Sequence, residues 1–145
     1  MSVLAELFAG THAEAVARAD ALDAGRTPPP ARHLEMTSIT PLDVELLGEI
    51  TARAVRFGSG ELELVEVDLD HELLFRLPDF LCEALVALGS DDDPELLGEV
   101  AEEWGATEEL AVPAADLTPV LRDIVDLIAA ALDDDLGVYL WVDKL

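Results

Sequence analysis

Cations are what this chain has least of. Lysine and arginine number 8 against 32 aspartates and glutamates, and the net charge is −24. Lys144 is the sole lysine. So negative a surface disfavours direct binding to nucleic-acid backbones and to anionic membranes and permits a basic protein partner or a cation, while the bland account is that acidity only keeps the protein soluble and apart from its neighbours. Cysteine is nearly missing too: Cys82 stands alone, so no internal disulfide is possible, which fits a reducing compartment. No apolar run reaches the roughly 18 residues of a spanning helix. Met1–Phe8 lacks the basic start of a secretion signal and carries Glu6, and Ser2 stands where myristoylation needs glycine, so the expected location is cytoplasmic. Phosphate-loop glycine spacing is absent around Gly58-Ser59-Gly60, and no Gly-x-Ser-x-Gly elbow occurs.

What the chain has is apolar surface. Hydrophobic residues make up 51% of 145 residues, enough for one folded domain spanning 1–145 despite the charge. The clearest pattern is at the far end. Leu117, Val120, Leu121, Ile124, Val125, Leu127, Ile128, Ala131 and Leu132 fall on one helical face, with Arg122, Asp123 and Asp126 opposite. Thr118 is placed to cap this helix, with Pro119 at its first position. Gly137 offers a left-handed exit into Val138–Val142, a strand apolar on both faces and therefore buried inside a sheet.

Upstream, 2–24 reads as a loosely packed helical segment in two pieces, with Thr11 and Glu14 forming a capping box. A proline-rich connector covers 25–33, and Leu34–Ile39 reads as a short strand. Thr40-Pro41 starts a helix to about Ala54. Glu61–Leu69 reads as a strand whose alternation slips; a bulge near Leu64–Val65 would return Leu62, Leu64, Val65, Val67 and Leu69 to the core. Pro78 opens a deeply buried helix to about Leu88. The next helix, capped by Asp93, carries Leu96, Leu97, Val100 and Trp104 on one face and ends at Gly105. The fold class expected is α+β: about five helices packed on a small, mainly antiparallel sheet with the C-terminal strand central.

Chemistry-bearing clusters are few. Asp68, Asp70, His71 and Glu72 form the best set of hard metal ligands, although the position four residues after His71 is Phe75 rather than a second histidine. The bland account is a group of solvated acids at a strand end. Asp133, Asp134 and Asp135 sit where charge opposes the helix dipole, which suits either a bound cation or basic side chain or a solvated, frayed end. Asp91-Asp92-Asp93 precedes a helix and needs no ligand to explain it. Cys82 lies among apolar neighbours and reads as a core thiol, as Trp104 and Trp141 read as core aromatics. No general acid–base site assembles from His12, His33 and His71.

The function expected from charge without a catalytic motif is a non-enzymatic protein-binding module recognising a basic partner, with no cofactor. The alternatives are a carboxylate- or metal-dependent hydrolase using Asp68, Asp70, His71 and Glu72, and a self-associating structural protein. Monomer and homodimer are both admissible, the latter by pairing of Val138–Val142 at a sheet edge.

Overall fold

The structure is a computed structural model that describes residues 4–28, 30–37, 39–58, 60–107 and 110–143. The elements run in the order β1 (Leu4–Gly10), α1 (His12–Asp23), β2 (His33–Thr37), α2 (Pro41–Ala54), β3 (Val65–Glu66), β4 (Leu74–Arg76), α3 (Asp79–Gly89), α4 (Leu96–Gly105), α5 (Ala114–Asp133) and β5 (Gly137–Val142). The fold is α+β. The strands form one sheet in the order β2-β1-β5-β4-β3, antiparallel at every pairing, with β5 in the middle.

Period-two alternation divides the sheet into unequal faces. Ala5, Leu7 and Ala9 of β1 and Val138, Leu140 and Val142 of β5 face the main core, which Leu47, Leu81, Leu85, Trp104, Leu121 and Ile128 of the helices complete. Phe8, Leu74, Tyr139 and Trp141 face the other way, against Ala15 and Ala19 of α1. One layer is thick and apolar; the other is a single alanine-rich helix.

Several sequence expectations change here. The stretch 2–24, read as helix, divides into a strand and then a helix: Leu4–Gly10 is paired on both sides, by β2 and by β5. Its helix-forming residues are overridden by that pairing, and Ala5, Leu7, Phe8 and Ala9 are all buried. The Thr11 capping box does open α1: Thr11 N–H donates to Glu14 Oε1 at 2.9 Å and Glu14 N–H to Thr11 Oγ1 at 3.2 Å. The long strand over Glu61–Leu69 shrinks to Val65–Glu66, because β4 is only three residues long and offers no more ladder. The bulge is not formed. Leu64 is buried, but Val65 is 52% exposed and Leu69 89% exposed. Pairing of β5 with a second copy is closed, since β1 and β4 occupy both its sides.

Helix ends also differ. α5 begins at Ala114, so Pro119 lies inside it and Thr118 Oγ1 donates to the Ala114 carbonyl at 2.8 Å rather than capping. At its far end Asp135, at φ 59°, takes the left-handed position expected of Gly137. Leu136 N–H donates to Ala131 O at 2.8 Å and Asp135 N–H to Leu132 O at 3.1 Å, a Schellman closure that satisfies the terminal carbonyls. α4 starts at Leu96 rather than next to Asp93. Gly105 is its last residue, and a Cβ there would lie 2.2 Å from the Val112 carbonyl oxygen. Close backbone approach, not a left-handed turn, requires glycine at that position.

Candidate functional site

The thin second layer concentrates the polar chemistry. α1 buries mainly alanines, too little apolar area to hold a helix by itself. Side-chain ties supply the rest. Glu6 would be an isolated carboxylate among Phe8 and Trp141; Arg18 reaches back from α1 and donates its Nε–H to Glu6 Oε1. Their side chains are 5% and 6% exposed, and the guanidinium carbon lies 5.4 Å from the Phe8 ring centroid. At the end of α1 the Trp141 indole N–H donates to Asp23 Oδ1 at 2.9 Å.

The third tie reaches the turn between β3 and β4. His71 places Nδ1 2.6 Å from Asp68 Oδ1 and Nε2 2.7 Å from Asp20 Oδ1, with its side chain 11% exposed. A neutral imidazole donates through one nitrogen only, so two carboxylate partners select the imidazolium. The hydrogen bond to Asp20, then that to Asp68, raises the His71 pKa above its usual value, against the opposing effect of burial. The His71 hydrogen bond likewise lowers that of Asp68. The signs follow by linkage. The His71 contribution to stability is complete below the unfolded histidine value of about 6.5 and is lost as pH rises through the raised folded value. The Asp68 contribution is complete above the unfolded value of about 3.9 and is lost as pH falls through the lowered one. The triad is therefore strongest in mildly acid solution, between about pH 4 and 6.5.

Of the sequence-predicted cluster, the fold brings together Asp68 and His71 and adds Asp20 from 51 positions away. Asp70 and Glu72 are not part of that contact. They line a separate open depression of about 550 Å³ with Leu69, Leu73, Asp23 and Asp143. Asp70 contributes to the turn by its backbone, donating N–H to Asp68 Oδ1 at 3.1 Å. Among the described residues, no group of three histidine, cysteine, aspartate or glutamate side chains is placed to hold a metal ion. Asp133, Asp134 and Asp135 are exposed at the close of α5; Asp134 lines a different depression, with Glu14, Pro30, Ala31 and Arg32, and none of the three lines the one that holds Asp70 and Glu72. Cys82 is a buried free thiol whose pKa is pushed up to about 12, chiefly by burial.

Sequence reasoning missed Glu6, Arg18, Asp20 and Asp23. The available signal was scarcity: with so few cations, an arginine in an alanine-rich helix calls for a nearby carboxylate.

The segment 61–76 thus carries the most unusual surface. Beyond the Leu69 depression lies a groove of about 630 Å³ where Pro41, Val65 and Phe75 are set among Glu45, Glu61, Glu63 and Glu66. Exposed apolar side chains stand among carboxylates at both places, and His71 ties the turn between them to α1. No family model, curated protein or solved structure matches the chain.

Proposed function

We propose that the protein is a non-enzymatic binding module for a basic protein partner, and that the segment 61–76 makes the contact. The observation that supports this reading is Leu69: it is 89% exposed, on a turn braced by His71, amid Asp70, Glu72, Asp23 and Asp143. An exposed leucine in a carboxylate ring suits an apolar pocket rimmed by lysine and arginine. The chain's 8 cations leave a net charge of −24, and three of them, Arg18, Arg53 and Arg76, sit beside Glu6, Glu103 and Asp79. The reading includes a cytoplasmic setting, in keeping with the unpaired Cys82. Among the described residues no helix is long and apolar enough to cross a membrane.

The test separates folding from binding. Leu69→Ser should change stability by no more than about 0.5 kcal/mol, since the side chain is exposed. It should weaken binding of a basic partner, captured at low salt, by about tenfold or more. Wild-type binding should also fall steeply as salt rises. Capture indifferent to salt, or affinity unchanged by Leu69→Ser, would count against the reading.

A further inference from the structure

Beyond the 61–76 segment, we propose a second recognition surface: the outer edge of β2, which accepts an extended, basic segment of a partner as a sixth strand. The ladder shows which groups are open. Ala9 N–H donates to the Arg32 carbonyl at 3.0 Å. Bonded and non-bonded pairs alternate along an antiparallel ribbon, so Leu7–Leu34 and Ala5–Met36 are the bonded pairs. His33, Glu35 and Thr37 therefore turn their N–H and C=O groups outward, and among the described residues no backbone group pairs with them. The opposite edge is closed. β3 is two residues long, and the Leu64 N–H beside it donates to Glu45 Oε2 at 2.8 Å.

The open edge has a groove beside it. A cavity of about 320 Å³ separates β2 from the start of α5, lined by Met36, Ile39, Leu110, Val112, Leu117 and Val120 and rimmed by Glu35 and Asp116. A strand added to β2 points alternate side chains toward this apolar cleft, and main-chain hydrogen bonds fix its register. Charge decides the occupant. Pairing with a second copy about Glu35 would set that carboxylate against its twin and join two chains of net charge −24 each. A segment alternating apolar residues with lysine or arginine meets both the cleft and the two rim carboxylates.

The experiment uses the full chain and a short peptide alternating lysine and valine, followed by amide and methyl NMR at low salt. The peptide should shift the Glu35 and Thr37 amides and the Val112 and Val120 methyls. Glu35→Pro removes an outward N–H and one rim carboxylate, a change that edge strands tolerate, and should weaken binding about tenfold or more. Val120→Lys keeps the edge intact but puts a cation at the cleft, and should weaken binding comparably. Leu69→Ser should leave peptide binding unchanged, so the two surfaces fail separately. Equal affinity for wild type, Glu35→Pro and Val120→Lys would overturn the proposal. So would shifts confined to 61–76, or a dimeric mass of the free protein that Glu35→Pro abolishes.

Discussion

Replacing Arg18 with methionine should cost about 3–5 kcal/mol of folding stability, because it leaves the Glu6 carboxylate buried without its charge partner. Both side chains are almost completely enclosed, and Glu6 stands opposite Trp141 in the ladder, where water cannot replace the guanidinium. The informative comparison is the double variant Arg18→Met, Glu6→Met. Exchanging a buried ion pair for apolar groups of similar volume is often close to neutral, so the double variant should recover most of the loss. About 0.5–1 kcal/mol should remain missing from the contact of Arg18 with the Phe8 ring. Denaturant unfolding of the three proteins checks this. A double variant as unstable as the single one would show that burial of the pair is not what makes Arg18 necessary.

Trp104→Ala should be comparably severe, at about 3–5 kcal/mol, for a different reason. Trp104 is fully buried in the thick layer, and its indole N–H donates to the Asp43 carbonyl at 2.9 Å. Asp43 is itself the inner half of the α2 capping box: its Oδ2 accepts from Thr40 N–H at 2.9 Å and from Thr40 Oγ1 at 3.0 Å. The indole thus fastens α4 to the start of α2, and removing it opens a cavity and strips a buried carbonyl of its donor. Trp104→Phe keeps most of the volume and loses the hydrogen bond, so it should cost only about 1–3 kcal/mol. The same unfolding curves read both variants. Equal loss in both would place the whole effect in the hydrogen bond.

The thick layer was legible in the sequence and the thin one was not. α5 and β5 carry unbroken apolar patterns, and burial against the main core is decided by that pattern alone. Proline with threonine marked the start of α2 correctly, because a first-turn proline and a cap are local devices. β1 was missed because Leu4-Ala-Glu-Leu-Phe-Ala favours helix locally, and only pairing with β2 and β5 makes it a strand. The error over 61–69 had a related cause. Its β-forming residues alternate with acids apart from one slip at Leu64–Val65, but the partner β4 ends after Arg76, and length of ladder is not written in the strand itself. At the site, the adjacency of Asp68 and His71 pointed to chemistry, while Asp20, on another element, lay beyond any local reading. Its presence turns a metal-ligand candidate into a charge clamp.

The thin layer and the turn displaying Leu69 both depend on that clamp, in which His71 holds two carboxylates at once. Nitrogen-15 NMR of the imidazole as a function of pH measures it directly. Both ring nitrogens should carry protons in mildly acid solution, with a midpoint above the ordinary value of about 6.5, and His71→Gln should loosen the amides of α1 and the turn together. A neutral ring at pH 7 titrating at or below 6.5, with α1 undisturbed by the substitution, would contradict it.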